Sequence, residues 1–244
     1  MLNNEENRPR LGRVSQLWRY PVKSMLGETC DELTFDERGV IGDRFYAVRR
    51  HDGKLGSGKD STRFCEMLGL FDFQASLQGG ELRILFPDGA QWNATDPAIH
   101  AALSETLGVQ VTLSSEGEVA HMDAGSVHLL TTAGLRWLQA EAQGAECDAR
   151  RFRANILIEL EGQRPVELDW LGEELQIGSD LRLNICQATG RCVMTTFAQE
   201  ELERNSAPLK AINRSAQGQF GVYGLVNAPG SVRVGDPVAL TPYH

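Results

Sequence analysis

Short apolar segments separated by turn residues recur along most of the chain, and this pattern restricts the fold more than any other feature. For example, Gln78–Gly80 separates two alternating segments, Phe71–Leu77 and Glu81–Phe86, which is typical of a hairpin. Ile41–Val48 is one of the predicted strands. Helical patterns are confined to a few places, such as Pro97–Leu107 and Gln199–Ala211, the latter with a break at Pro208. A chain of 244 residues can form one large β domain or two small ones. We therefore predict a mainly β protein, a barrel or a sandwich, with a few helices.

The polar stretch Ser114–Glu118 is the best candidate for a boundary between two domains. We predict one domain at residues 12–113 and a second at residues 119–242. Residues 1–11 are polar and are predicted to form a flexible tail. They contain no apolar core of a signal peptide, and no apolar run in the chain is long enough to cross a bilayer.

Charge and cysteine content exclude several classes of protein. The net charge of −9 argues against a general nucleic-acid binder, although it leaves room for a local basic pocket. Five cysteines at wide spacings do not form a disulfide framework and suit a reducing compartment. We therefore expect a cytoplasmic protein that binds neither nucleic acid nor membrane.

The segment Ile185–Thr196 contains the most reactive combination of residues. We predict a strand ending at Ile185, a short loop, and a second strand at Val193–Thr196, with Cys192 held between the strands beside Arg191. A neighbouring cation favours a thiolate, which is the form that attacks electrophiles and binds metals. A buried core cysteine is the plain alternative. A zinc site made with Cys186 fits common ligand spacings poorly.

Two further places could bind an anion. Thr131 or Thr132 is predicted to cap a helix that continues to about Gln143, and a capped helix N-terminus attracts phosphate. On a strand, Arg153 and Asn155 would point the same way because side chains alternate. Alternatively, Thr131 or Thr132 is only a helix cap, and Arg153 belongs to a solvated charged surface.

A hydrolase is poorly supported by the sequence. His128 alternates with apolar neighbours and is interpreted as a strand residue of the core. His51 and His121 have no sequence relation to Cys192. The chain also has no phosphate-binding P-loop and no dinucleotide-binding glycine fingerprint.

Five short motifs occur in a fixed order: YPVKS at Tyr20–Ser24, GDRFY at Gly42–Tyr46, FRANI at Phe152–Ile156, RCVMTT at Arg191–Thr196 and VGDPV at Val234–Val238. Each motif alone is weak, but together they resemble an N-terminal MOSC β-barrel domain followed by a MOSC domain. This resemblance implies two β-barrel-like subdomains. It also implies a molybdenum–molybdopterin cofactor and reduction of N-hydroxylated compounds, as in amidoxime-reducing proteins and bacterial hydroxylaminopurine-resistance proteins.

The resemblance also implies roles for individual residues. Cys192 would bind molybdenum as the catalytic residue. The cofactor contacts implied are Lys23, Ser24, Arg44, Thr131, Thr132, Arg153, Asn155, Arg191 and Tyr223. An anionic pterin phosphate suits such Lys, Arg and hydroxyl groups, and a soft thiolate suits the metal.

Two departures from reductase relatives concern the substrate and the electron donor. Relatives continue after the threonine pair with an Asp-Pro turn, where this chain has Phe197–Glu200. The chain also ends at His244 without the membrane anchor or fused ferredoxin-like domain that many relatives have. We therefore expect a separate electron donor, a ferredoxin- or cytochrome-type protein with its reductase, and a small N-oxygenated substrate.

Three hypotheses remain open at this point. The first is a molybdenum-dependent reductase. The second is a sulfur-carrier or cofactor-handling module in which Cys192 holds a persulfide or acts as a nucleophile. The third is a binding module without redox chemistry. Convergence of Lys23, Arg44, Arg153 and Tyr223 near Cys192 would be needed for both cofactor hypotheses.

Overall fold

The structure is a computed structural model that describes residues 10–118 and 120–241. The strands of the first half are β1 Arg10–Arg19, β2 Glu28–Cys30, β3 Glu32–Asp36, β4 Gly39–Val40, β5 Tyr46–Arg50, β6 Leu55–Ser57, β7 Phe64–Glu66, β8 Gln74–Gln78, β9 Glu81–Leu85, β10 Gln91–Asn93 and β11 Val111–Ser115. Those of the second half are β12 Val127–Thr131, β13 Ile156–Glu159, β14 Glu174–Ile177, β15 Leu181–Gly190, β16 Gln219–Ala228, β17 Gly230–Arg233 and β18 Pro237–Thr241. The α-helices are α1 Ile99–Leu107, α2 Thr132–Glu141 and α3 Ala207–Ser215, and the 3₁₀ helices are Leu68–Asp72, Ala149–Phe152, Val166–Trp170 and Val193–Thr196.

Seven strands close into a barrel in the order β13-β12-β16-β15-β14-β18-β1, and β1 pairs with β13 to complete the ring. The barrel interior is filled by apolar side chains that alternate inward along these strands, among them Val14, Leu129 and Leu183. The eighth strand of this sheet, β2, continues from β1 outside the ring. The structure is therefore mainly β, as the sequence pattern predicts.

The rest of the first half forms three smaller sheets: β10-β9-β8, β11-β5-β6-β7 and β17-β3-β4. A separate apolar core joins the first two to α1 and includes Met25, Phe73, Ile84 and Leu103. A third core packs α2 and α3 against the barrel around Leu138, Ile212 and Phe220. These cores fix the barrel rim relative to the loops of the first half, where the candidate site lies.

The hydrogen-bonded sheets do not follow the domain boundary that we predict at Ser114–Glu118. Strand β1 lies in the first predicted domain, yet it closes the barrel formed by strands of the second. Strand β17, from the second, pairs with β3 of the first. The predicted flexible tail falls mostly on residues 1–9, which lie outside the described residues, as do 242–244.

Several strand predictions at the site differ from the structure. The strand predicted to end at Ile185 continues to Gly190 as β15, so the predicted loop is part of the strand. The predicted strand Ile41–Val48 begins instead at Tyr46, because Gly42 and Arg44 have φ angles of 81° and 49° and turn the chain. Val193–Thr196 is a 3₁₀ helix and not a strand. Its threonine hydroxyls donate to main-chain carbonyls three residues back, Thr195 to Cys192 and Thr196 to Val193, which favours the tight turn over extended backbone.

The predicted helices are present with shifted ends. Helix α1 starts at Ile99, after an Asx turn in which the Ala98 amide donates to the Asp96 carboxylate at 2.9 Å. Pro208, predicted to break a helix in Gln199–Ala211, instead lies in the first turn of α3, where proline is tolerated. Helix α2 has the predicted Thr131 cap.

Candidate functional site

A cavity of about 440 Å³ opens between the barrel rim and the loops of the first half. It is lined by six cationic side chains and one carboxylate, Asp123, in a chain whose net charge is −9. The cationic side chains are those of Lys23, Arg44, Lys59, Arg151, Arg153 and Arg191. This size is within the range of small-molecule sites, and the charge of the wall suits an anionic ligand.

Cys192 lies in the cavity wall and is partly exposed. It follows the end of β15 and precedes the 3₁₀ helix Val193–Thr196 at its N-cap position. Its carbonyl accepts hydrogen bonds from the amide and the hydroxyl of Thr195, at 3.2 and 3.0 Å. The main chain around Cys192 is therefore held in place at the cavity wall.

Arg191 contributes a guanidinium next to this thiol. Nε donates to the Phe220 carbonyl at 2.6 Å, Nη1 donates to the Phe152 carbonyl at 3.2 Å, and Nη2 donates to Nε2 of His128. Burial lowers the pKa of Arg191 to about 10, although the group stays charged at neutral pH. All three acceptors are uncharged in this geometry.

Arg153 is the second guanidinium on the barrel side. It ends the 3₁₀ helix Ala149–Phe152 with a φ of 55°, stacks over Tyr20 at 4.2 Å, and donates from Nη1 to the Met25 carbonyl at 2.7 Å. Burial lowers its pKa to about 10. Its Nη2 is buried without a hydrogen-bond partner among the described residues. A buried donor without a partner is costly, and an anionic ligand in the cavity would satisfy it.

Arg44 belongs to the first half of the chain and lies 5.0 Å over the Tyr20 ring, the ring that Arg153 also covers. Its Nη1 donates to the fully buried carboxylate of Asp43, and its Nη2 donates to the Arg153 carbonyl at 3.0 Å. Asp43 in turn accepts from the Tyr20 amide at 2.7 Å. The turn that interrupts the predicted strand thus orients Arg44 and supplies its counter-charge.

Lys23 and Ser24 follow β1, as the YPVKS motif predicts. The Lys23 ammonium donates to the Asp123 carboxylate at 2.8 Å and lies 4.8 Å from the centre of the Phe64 ring. Burial lowers the pKa of Lys23 to about 8, against the opposing effect of Asp123. Ser24 has a φ of 66° and donates to the Gly56 carbonyl at 3.2 Å.

Tyr223 completes the wall on the barrel side. Its ring lies 5.3 Å from that of His128. It packs against the backbone of Gly125, where any Cβ would collide with the ring. Burial raises the pKa of Tyr223. Seven residues suggested by the sequence therefore lie around one cavity: Lys23, Ser24, Arg44, Arg153, Arg191, Cys192 and Tyr223.

Asn155 is not in the cavity wall. Arg153 and Asn155 do not lie on one strand, as we predict from the sequence, because β13 begins at Ile156 and Arg153 precedes it in a left-handed conformation. The buried Asn155 amide instead accepts from the His128 main-chain amide at 3.1 Å and donates to the Trp18 carbonyl at 3.2 Å. It joins β12 to β1 within the barrel.

Thr131 and Thr132 also lie away from the cavity wall. The Thr131 hydroxyl accepts from the Gly134 amide at 2.9 Å and donates to the buried carboxylate of Glu167 at 2.6 Å. Thr132 bonds to the Leu160 main chain. The helix N-terminus predicted to attract phosphate thus already has a carboxylate of the chain beside it. Burial raises the pKa of Glu167 to about 7.

Several wall residues were missed by sequence reasoning, namely Lys59, Asp123, His128, Arg151, Phe152, Gln187, Met194 and Thr195. Phe152 is the first residue of the FRANI motif and Arg151 directly precedes it, so the motif could have indicated both, whereas Asp123 lies in a polar connection without a motif. His128 is buried, as interpreted, but it also contacts Arg191.

Cys186 is exposed and lies 3.4 Å from the Tyr223 carbonyl. Across the described ranges, no three His, Cys, Asp or Glu side chains are grouped to hold a metal ion. Nor does any helix of residues 10–118 and 120–241 combine the length and apolar character needed to cross a membrane.

The sequence matches two protein-family models that together cover almost the whole chain. The MOSC domain matches residues 116–239, and the MOSC N-terminal beta barrel domain matches residues 11–122. The chain belongs to the MOSC family. Lys23, Ser24, Arg44 and Lys59 come from the range of the N-terminal model, and the rest of the cavity wall comes from the range of the MOSC model.

Curated relatives are similar over nearly the same length. Mitochondrial amidoxime-reducing component 1 of Mus musculus is 25% identical, with 95% of this chain and 83% of that protein aligned. Component 1 of Homo sapiens gives the same values, and component 2 of Bos taurus is 26% identical over 94% of this chain and 83% of its own. The names of these relatives describe them as amidoxime-reducing proteins.

Among solved structures, the YUAD protein from Bacillus subtilis superposes with a TM-score of 0.56 at 14% sequence identity. The superposition covers 97% of this chain and 100% of that one. At this identity the likeness concerns the fold alone. It agrees with the mainly β architecture and the closed barrel described above.

Proposed function

We propose that the protein is a molybdenum-cofactor-dependent reductase of N-hydroxylated and related N-oxygenated compounds, with Cys192 as the protein ligand of molybdenum. The observation that supports this most is the position of a partly exposed thiol in the wall of a strongly cationic cavity. Membership of the MOSC family and similarity to amidoxime-reducing components supply the reaction class.

The residues of the cavity fit a molybdopterin cofactor in three ways. A cysteine thiolate is a soft ligand suited to such a metal. The excess of cationic side chains suits an anionic phosphate. The unpartnered Nη2 of Arg153 provides a donor that the protein itself does not use, among the described residues. The cofactor, when bound, would supply the two-electron reduction of the N–O group.

The chain would contribute binding, orientation and charge. Arg153 and Arg191 would offer planar sets of donors to an anionic ligand beside Cys192. Lys23 and Arg44, each paired with a carboxylate, would add positive charge from the first half of the chain. Ser24 would hold the turn after β1 in place through its hydrogen bond to the Gly56 carbonyl. Tyr223 would provide an aromatic wall next to His128. Asn155 would act on the wall only through the His128 main-chain amide, whereas Thr131 and Thr132 bond to Glu167 and to the Leu160 main chain and would have no direct contact with the cofactor.

The proposal includes a small N-oxygenated substrate and a separate electron donor, a ferredoxin- or cytochrome-type protein with its reductase. It also includes a cytoplasmic location without membrane or nucleic-acid partners.

The test is turnover of a model N-hydroxylated compound, such as benzamidoxime, with a chemical electron donor. The protein is made in a host that synthesises the cofactor. We expect product only with protein from that host, and no product above background with Cys192→Ser. Equal turnover by wild type and Cys192→Ser would contradict the proposal. The Cys186→Ser variant controls for loss of another accessible thiol.

The second candidate, a sulfur carrier using a Cys192 persulfide, is also favoured by the partial exposure of the thiol. Intact-protein mass spectrometry separates the two. A labile increment of one sulfur atom on Cys192 in protein without molybdenum would favour the carrier. Molybdenum without that increment would favour the reductase. A binding module without redox chemistry predicts neither turnover nor persulfide.

A further inference from the structure

We propose that His128 is a positioning residue that orients Arg191 through an uncharged hydrogen bond and so keeps the guanidinium charge available to an anionic ligand beside Cys192. This inference deepens the proposed function and rests on it for the identity of the natural ligand. The effect of His128 on anion binding can be measured on the metal-free protein.

The protonation state of His128 follows from its partner. A guanidinium has N–H donors and no acceptor, so Nε2 of His128 must accept from Nη2 of Arg191. A nitrogen that accepts a hydrogen bond carries no proton, so the imidazole is neutral. Burial lowers the pKa of His128 well below its ordinary value, which agrees with this assignment.

The other two acceptors of Arg191 are the main-chain carbonyls of Phe220 and Phe152. Within residues 10–118 and 120–241, no carboxylate forms an ion pair with Arg191. Neutral acceptors hold a guanidinium in place without cancelling its charge. An aspartate or glutamate at position 128 would hold it equally well but would neutralise it.

The backbone around His128 is shaped to admit this contact. Gly221 has a φ of 80°, and a Cβ there would lie 2.7 Å from Nε2 of His128 and 2.8 Å from the Leu129 carbonyl. Only glycine fits such a position without strain. The imidazole ring also lies beside the Tyr223 ring, with 5.3 Å between the ring centres and an angle of 49° between the planes. His128 therefore links two wall residues, Arg191 and Tyr223.

The experiment measures the affinity of metal-free protein for sulfate, an anion of constant charge, by isothermal titration calorimetry. The proteins compared are the wild type, His128→Gln, His128→Glu and His128→Leu, each with its thermal unfolding recorded. The glutamine oxygen can replace Nε2 as a neutral acceptor, the glutamate adds a counter-charge, and the leucine removes the acceptor.

We expect His128→Gln to bind sulfate within about twofold of wild type and His128→Glu to bind about tenfold or more weakly, since a close charge pair is strongly coupled. His128→Leu should lose several-fold in affinity because Nη2 of Arg191 is released. In an Arg191→Gln background, the His128 substitutions should have no further effect on sulfate binding.

Three results would overturn the proposal: no sulfate binding by wild type, wild-type affinity in both His128→Glu and His128→Leu, or equal losses in His128→Gln and His128→Glu. If His128→Glu does not fold, His128→Leu is compared with His128→Gln instead, and equal sulfate affinity of these two variants would overturn the proposal. Absence of molybdenum from the purified protein would contradict the proposed function but would leave these outcomes unaffected, so the two failures are distinguishable.

Discussion

The two sides of the cavity hold their positive charges in different ways. On the side of the first half of the chain, Lys23 is paired with Asp123 and Arg44 with the buried Asp43. On the barrel side, Arg153 and Arg191 are held by main-chain carbonyls and by His128, and no carboxylate of the described residues pairs with either.

This difference separates charges that stabilise the fold from charges that are available to a ligand. Arg44 is needed by Asp43, which would otherwise be a buried carboxylate without an ionic partner, whereas in the other pair Lys23 is buried and Asp123 is about half exposed. An unpaired buried cation costs stability and attracts an anion. The barrel side, which also contains Cys192, should therefore dominate anion affinity, and the opposite side should contribute mainly to stability.

The largest expected effect is on stability. Arg44→Gln leaves the Asp43 carboxylate buried without its ionic partner, so we expect the free energy of unfolding to fall by about 3 kcal/mol. Denaturant unfolding measures this. Arg13→Gln is the matched control: it breaks an exposed pair with Glu159 and should cost less than about 1 kcal/mol. Equal stability of Arg44→Gln and wild type would remove the distinction between the two sides.

The second effect is on affinity. Arg153→Gln removes an unpaired buried charge, so we expect sulfate affinity to fall about tenfold while the free energy of unfolding changes by about 1 kcal/mol or less. Calorimetric titration and denaturant unfolding of the same samples give both quantities. Unchanged affinity together with a large loss of stability would reverse the proposed roles.

The smallest effect concerns pH. Burial lowers the pKa of Lys23 to about 8, so the ammonium loses its proton as pH rises through about 8. Anion binding favours the protonated form, and sulfate affinity should therefore decline by a few-fold across this pH range. Lys23→Arg should remove the decline, because a guanidinium stays charged there.

Lys54→Arg is the control for that pH experiment, since Lys54 is not in the cavity wall. It should retain the wild-type pH dependence. A decline of the same size in Lys23→Arg would mean that another group titrates.

Much of the fold could be predicted from local pattern. The alternation in Glu81–Phe86 and the turns around it indicate a hairpin, and the structure has one in β8 and β9. Barrel closure could not be predicted, because it depends on the pairing of β1 with β13. Local sequence patterns do not show which strands pair when they are far apart in the chain. Val193–Thr196 favours a strand by composition, but its threonine hydroxyls bond to carbonyls three residues back, a local competitor of extended backbone that composition does not show.

The site residues that belong to sequence motifs could be predicted. Their hydrogen-bond and ion-pair partners from other parts of the chain could not. The motifs brought Lys23, Arg44, Arg153 and Arg191 to attention through family resemblance. The partners that set their charges, Asp43, Asp123 and His128, come from other parts of the chain. Thr131 shows the limit of a local argument, since a helix N-terminus that suits phosphate already has Glu167 beside it.

The most direct test of the central claim, that Cys192 holds molybdenum in this cavity, is the molybdenum content per chain. It is measured by elemental mass spectrometry on wild type and Cys192→Ser purified from the same cofactor-producing host. We expect the wild type to approach one molybdenum per chain. Cys192→Ser should retain about a tenth of that or less, with unfolding free energy within about 1 kcal/mol of wild type. Equal molybdenum in the two proteins, or none in the wild type, would contradict the account.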